Sequence, residues 1–439
     1  MARAVVGAVV RGPGRIIRAP RLVFKARTEA VEGTKRMEFE ALQARYGDCL
    51  FITLPGSGPD RPIRLLIDGG PAGVYRTALE RRLAAEAAKF PQEKPVNIDA
   101  VMVSHVDEDH ILGIVDLFGK IQEADQGRTP RPCQPKWLLH NSLDGLIGEG
   151  EGGVARALSG PTVLASLDAA LSAGLAGGPA DDPDGAMKSQ TARLVLQSYG
   201  QASRLATLAA AIQVTRNPPD QRTILFDPAQ PRVLQLGDAT LTVVGPLQPD
   251  VERLRKEWSA WKAKQKDAAS LAATLDTAVP NLSSIVVLLQ WQGRKILLTG
   301  DARGDHILDG LNGAGLMPGQ GALDIDILKL PHHGSIRNNT RDFFAKIRAD
   351  HYVASGDGTY GNPDRATLEL IEEVRPEGGY TVHLTYDAAS CDEVHKSWAA
   401  GRKNVPPYDP ERDSIAPVIE RWRSEGKIEV KEGPVRIRL

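Results

Sequence analysis

Residues 104–110 read Ser104-His105-Val106-Asp107-Glu108-Asp109-His110, and the fold is decided by this stretch. In extended backbone, alternate side chains point the same way, so His105, Asp107 and Asp109 can face one point. His110 joins them where the chain turns into a helix. Two imidazoles and two carboxylates converging in one loop are a metal-ligand set, suited to two ions. A plain charged turn at a helix start needs one acidic cap and accounts for neither histidine. Upstream, Ile98 to Ser104 reads as a buried strand. Downstream, Ile111, Ile114, Val115, Phe118 and Ile121 form the apolar stripe of a helix.

Working outward, further strands end in the same kinds of residue. Ile63 to Ile67 runs into Asp68-Gly69-Gly70, and Trp137 to His140 delivers a histidine. Ser284 to Leu289 and Arg294 to Thr299 read as a hairpin leading to Gly300-Asp301-Ala302. Ile325 to Leu330 enters Pro331-His332-His333-Gly334-Ser335. A helix is expected over Val74 to Lys89 and another over Arg365 to Val374. Carboxylates and imidazoles at several strand ends can be gathered along one sheet edge.

The chain has 439 residues, a formal net charge of −1 and three cysteines. That balance gives no global basic field, so any nucleic-acid contact must come from a local patch. Cys49, Cys133 and Cys391 are scattered and odd in number, which argues for a reducing compartment and against thiolate zinc sites. No apolar run reaches the ~20 residues that cross a bilayer, and a cytoplasmic protein without membrane contact is expected. Residues 1–36 carry nine basic residues (Arg3, Arg11, Arg15, Arg18, Arg21, Lys25, Arg27, Lys35 and Arg36) against Glu29 and Glu32. They read as a basic extension, disordered or preceding the native start, with Met37 a plausible start. Residues 146–280 are less regular, with Gly/Ala-rich stretches, a Pro-containing acidic run at Gly177 to Gly185, a strand pair near Val233 to Val244 and a charged segment at Arg253 to Leu275. They read as an insertion within a single domain spanning 37–439.

Taken together, Gly47-Asp48, Ile67 to Gly70, Ser104 to His110, Leu298 to Ala302 and Pro331 to Ser335 resemble the metallo-β-lactamase superfamily. The subtype resemblance is to the hydrolase domain of ComEC-type DNA-uptake proteins. It implies an α/β fold, a four-layer αβ/βα sandwich, with two divalent ions (zinc or manganese) between the sheets. By that resemblance His105 and Asp107 bind the first metal, Asp109 and His110 the second, and Asp301 bridges them. One of His332 and His333 completes the second site; the other is a proton carrier or phosphate contact, because neighbours in a turn rarely both reach one ion. His140 is a further candidate for the first metal, and Asp68 orients the ligand loop. Asp109, Asp301 and His333 are the expected catalytic residues. Lys329, Ser335 and Asn362 are expected at the substrate, with Arg337 and Arg341 as further phosphate contacts. Asn362 stands in Tyr360-Gly361-Asn362-Pro363, where relatives often carry histidine, and an Asn cannot shuttle a proton.

The expected activity is a phosphodiesterase, acting as a nuclease on DNA through a metal-bridging hydroxide. Asp107 in place of an imidazole hardens the site toward manganese. Two other readings remain open: a hydrolase of a small ester, lactone or phosphodiester, and a non-catalytic metal-binding subunit of a larger assembly.

Overall fold

A computed structural model describes residues 36–56, 61–149, 153, 200–264, 283–402 and 405–439. The basic extension, except Arg36, lies outside the described residues, as does most of the irregular stretch before residue 200. Two sheets face each other. The first holds β1 (Glu38–Ala41), β2 (Leu50–Leu54), β3 (Ile63–Ile67), β4 (Asn97–Val103), β5 (Gln134–His140), β6 (Thr215–Arg216) and β15 (Val435–Arg438), in the order β15-β1-β2-β3-β4-β5-β6. The second holds β7 (Val233–Leu236), β8 (Ala239–Gly245), β9 (Val286–Trp291), β10 (Arg294–Leu298), β11 (Leu323–Lys329), β12 (Ile347–Ala354), β13 (Thr381–Leu384) and β14 (Glu429–Glu432), in the order β14-β13-β12-β11-β10-β9-β8-β7.

Side-chain alternation along the strands builds the layers. In β4, Ala100 and Met102 point between the sheets, where they meet the cluster of Val243, Val287, Leu298 and Ile327. Val101 and Val103 point outward into a second cluster with helices α1 (Glu80–Lys89), α2 (Glu108–Gly127) and α3 (Gln248–Lys264). The other sheet repeats the device. Leu297 and Leu328 point away from the partner sheet and are covered by α4 (Gly304–Gly313), α5 (Arg341–Lys346), α6 (Arg365–Val374), α7 (Ala388–Ala399) and α8 (Ala416–Glu425). The result is helices, sheet, sheet, helices: the expected αβ/βα sandwich. Burying both faces of each sheet explains why the strands read as near-continuous apolar runs.

Three expectations shift. The predicted helix from Val74 to Lys89 starts as a π-helical turn over Tyr75–Leu79 before α1. A first strand, expected from the sequence over Glu38 to Ala44, ends at Ala41. The described end of the expected insertion is part of both sheets: β6 pairs with β5, and the β7–β8 hairpin pairs with β9. Val233, Gln235, Leu234 and Leu236 alternate exposed and buried, the pattern of a strand covered on one face. Among the described residues, no helix is long and apolar enough to cross a membrane.

The parallel strands set the site. β3, β4 and β5 run parallel, as do β10, β11 and β12, so their carboxyl ends lie along shared edges. The amide of Ile285 donates to the Ser104 carbonyl at 2.7 Å and the amide of His332 to that of Gly300 at 3.1 Å, tying the edges together.

Candidate metal centre

The ligand loop is clamped from behind before any side chain reaches forward. Asp68 follows β3 with φ +58 and accepts from the Ser104 amide and hydroxyl, both at 2.7 Å. Its neighbour Gly69 lies against the start of α2, where a Cβ would stand 2.4 Å from the Ile114 amide nitrogen. A β-carbon on Gly113 would likewise sit 2.0 Å from the Gly69 carbonyl oxygen, so only glycine fits either place. Asp107 occupies the N-cap position of α2, yet its carboxylate makes no capping bond and Oδ2 stands 3.6 Å from His105 Nε2.

Four imidazoles surround the Asp301 carboxylate, two on each oxygen. His105 Nε2 and His332 Nε2 lie 3.6 and 3.5 Å from Oδ2. His110 Nε2 and His333 Nε2 lie 3.4 and 3.7 Å from Oδ1. Asp109 Oδ2 joins the second group, 3.6 Å from His110 Nε2 and 3.2 Å from His333 Nε2. One side thus offers His105, Asp107, Asp301 and His332; the other offers Asp109, His110, Asp301 and His333.

Each ring is also held by its far nitrogen. His110 Nδ1 is 2.9 Å from Asp68 Oδ2, and His333 Nδ1 is 3.3 Å from Asp48 Oδ1. His332 Nδ1 is 2.9 Å from Asn338 Oδ1, and His105 Nδ1 is 3.1 Å from the Ser104 hydroxyl. The Ser104 proton is committed to Asp68, so Ser104 accepts from His105. An acceptor at each Nδ1 assigns the proton there and leaves the Nε2 lone pairs aimed inward. His105 Nε2, His110 Nε2 and Asp301 Oδ1 are buried and have no hydrogen-bond partner among the described residues. Orphaned acceptors this deep are costly unless a cation takes them. These donors fit divalent metal.

Charge says the same. Burial pushes the Asp301 carboxyl up, but His332, His110, His333 and His105 outweigh it and hold it well below the ordinary range. Burial pushes His333 down, and Asp301 with Asp48 overcomes it, raising the ring to about 9. His105 is lowered to about 3, by burial and then by His110. The same carboxylates that raise His110 and His333 would be neutralised by divalent ions in place of added ring protons.

The turn Pro331–Gly334 brings both of its histidines to Asp301. His332 and His333 both adopt left-handed backbone, with φ +48 and +53. Consecutive left-handed residues send their rings to opposite oxygens of Asp301, so both histidines reach the cluster. Other expected residues do not. His140 is buried at the end of β5 beside Val103 and belongs to neither group of His and Asp side chains whose donor atoms converge. Burial, then Arg216, lowers its ring to about 4. Lys329 is 1% exposed and cannot face substrate: its ammonium is 2.5 Å from Asp48 Oδ2. Ser335 is buried with its hydroxyl turned to Asp364 Oδ2 at 3.4 Å, positioning the turn instead of facing outward. Arg341 pairs with Glu373 on the surface. Asn362 is half-buried beside the turn, and Arg337 is exposed next to it.

The residues that sequence reasoning missed are Asp48 and Asn338. Asp48 is buried between Lys329, His333 and Ser355, whose hydroxyl donates to it. Gly47 makes that placement possible, because a Cβ there would lie 2.0 Å from the Asp109 carbonyl oxygen. The signal was present in the Gly47-Asp48 pair, read as a turn. Asn338 also donates to the Asp301 carbonyl at 2.8 Å, coupling the two turns.

No family model matches the chain. Microtubule-associated protein 1A from Rattus norvegicus and from Homo sapiens is 33% identical over 75 residues, which is 17% of this chain and 3% of that protein's length. Among solved structures, a variant of the β-hydroxylase CmlA overlays with a TM-score of 0.34 and 11% identity, over 91% of this chain and 53% of the other. Zinc-bound PqqB from Methylobacterium extorquens gives 0.33 and 12%, over 92% and 100%. A β-lactamase domain protein from Burkholderia ambifaria gives 0.28 and 11%, over 88% and 87%. At such scores these likenesses carry no argument, and the architecture stands on the chain's own sheet order and packing.

Proposed function

We propose that this chain is a dinuclear metal-dependent hydrolase of phosphodiesters, acting on nucleic acid. The observation that carries the reading is Asp301 with two imidazoles at each oxygen, backed by Asp107 on one side and Asp109 on the other. One carboxylate reaching both groups is the ligand geometry of paired ions, and three carboxylates make the set hard and oxygen-rich. Divalent ions held there would lower the pKa of water and offset charge on a phosphoryl oxygen. The protein's own part is to fix the ligands. Asp68 and Asp48 hold His110 and His333 in one orientation, and the surrounding core keeps competing water away from their far nitrogens. His332, with its side chain one-third open to solvent, stands at the mouth, where a phosphate oxygen could approach.

The test is turnover. Chelated protein reconstituted with manganese or zinc should hydrolyse bis-p-nitrophenyl phosphate and cleave labelled DNA, and Asp301→Ala should lower both rates at least ~1,000-fold. Turnover of carboxylic esters or lactones but of no phosphodiester would replace the reading.

A further inference from the structure

The mouth of the metal centre carries an aromatic strip that the hydrolytic chemistry leaves unused. Tyr360 sits on the loop between β12 and α6 with φ +66, a backbone conformation that strains a bulky side chain. The fold gains only partial burial in exchange, since Tyr360 is 55% exposed. Among the described residues only Val233, Ile336 and Tyr360 are large, apolar and exposed; Ile336 follows the His332–His333 turn, and Tyr360 sits on the loop bonded to it. The amide of Asp364 donates to the Gly334 carbonyl at 3.2 Å, and that of Ile336 to Asp364 Oδ2 at 2.7 Å, so this loop is pinned to the turn.

Tyr360 is backed by other rings. Tyr46 lies 5.5 Å away, edge to face, and Trp398 of α7 lies 5.2 Å away. The Tyr46 hydroxyl donates to Glu108 Oε1 at 2.9 Å, and Glu108 immediately precedes Asp109, so the strip begins at the metal loop. Each end carries a cation. Arg45 stands 5.1 Å over the Tyr46 ring and Arg402 4.9 Å over that of Trp398; both are exposed and within electrostatic reach of Tyr360.

Rigid rings interleaved with guanidinium groups suit unpaired bases and the phosphates between them. Stacking on an aromatic ring strengthens binding base by base and tolerates any sequence. In a duplex those base faces are already covered. We propose that Tyr360, supported by Tyr46 and Trp398, is a stacking platform for an unpaired base beside the phosphodiester presented to the metal centre. Arg45 and Arg402 take the flanking phosphates, which makes the substrate single-stranded nucleic acid. This rests on the phosphodiesterase reading and names its substrate.

The experiment is anisotropy of a fluorescein-labelled oligothymidylate with full-length protein, without divalent metal to prevent cleavage. Binding that weakens with salt, loses at least ~10-fold on Tyr360→Ala and survives Tyr360→Trp supports the platform. A folded Y360A with unchanged affinity overturns it, and so does equal binding of duplex DNA. Should Y360A fail to fold, Arg45→Ala and Arg402→Ala carry the test: each should flatten the logarithmic salt slope by roughly one, and unchanged slopes overturn the proposal. Turnover of bis-p-nitrophenyl phosphate without oligonucleotide binding sinks the platform and leaves the phosphodiesterase reading intact. Binding that Y360A weakens, in a metal-loaded protein that hydrolyses no phosphodiester, does the reverse.

Discussion

The Lys329 ammonium lies 2.5 Å from Asp48 Oδ2, and both side chains are 1% exposed, directly behind His333. Separated by most of the domain in sequence, the two form a buried ion pair whose outer oxygen steadies a candidate metal ligand. Asp48 stays ionised: burial pushes its carboxyl up, and Lys329, then His333, overcome that. Removing one partner strands the other's charge. Lys329→Met should therefore destabilise the fold by about 3–5 kcal/mol, while Asp48→Asn combined with it should cost less than the two single changes added. Urea denaturation of the four proteins tests this. Additive losses would show that the charges do not depend on each other.

The two halves of the cluster are unequally backed. His110 and His333 have carboxylates behind them, Asp68 and Asp48, whereas His105 and His332 have the neutral Ser104 and Asn338. A carboxylate behind an imidazole raises its basicity and its grip on a cation. Metal should accordingly leave in two steps under graded chelation, the ion on the Asp109–His110–His333 side last. Asp68→Asn should weaken that last ion about 10- to 100-fold, read as a shift in its chelator midpoint. A single concerted loss of both ions, or no shift in D68N, would contradict the asymmetry.

What the sequence made legible follows from how local each signal is. The loop from His105 to His110 packs four candidate ligands into one turn, and Asp301 and His332–His333 follow strands at points marked by glycine. The partners of those ligands are another matter. Asp48 meets Lys329 because two sheets face each other, and Asn338 meets Asp301 because β10 and β11 are neighbours within one sheet; neither pairing leaves a periodic trace. Lys329 looked like a surface cation for the same reason, since a lysine ending an apolar strand reads identically whether its partner is phosphate or a buried carboxylate. β6 has two residues and did not stand out from the irregular stretch before it, whereas the strand pair read near Val233 to Val244 is the β7–β8 hairpin.

His140 separates ligand from bystander. It ends a strand next to the metal loop, but its ring nitrogens make no hydrogen bond among the described residues and it is absent from the convergent donors. Its backbone is held by the side chain of Asn217, bonded to its amide and carbonyl, each at 2.8 Å, and its ring lies by the Ala202 backbone and Arg216. His140→Met, of similar bulk, should leave metal stoichiometry unchanged and shift stability by less than ~1.5 kcal/mol. His105→Met should cost one ion. Elemental analysis of the dialysed proteins decides, and loss of metal from H140M would restore His140 to the ligand set.

Away from the metal centre, His306 on α4 offers a pH-dependent tether to α3. Its Nδ1 is 3.0 Å from Asp250 Oδ2, and Arg253 and Arg303 are the neighbouring cations. The bond to Asp250 raises the ring's pKa, with burial working against it. A histidine whose folded pKa exceeds its unfolded value contributes its stability fully below about pH 6.5 and loses it as pH rises through the folded pKa. His306→Gln should therefore destabilise the protein by ~1–2 kcal/mol in mildly acid buffer, and by much less at a pH above the folded pKa. The pair is partly screened, so the acid value is an upper figure. Urea unfolding of both proteins across this range reads the difference, and a gap that stays constant or widens with pH would rule out a charged His306 in the folded state.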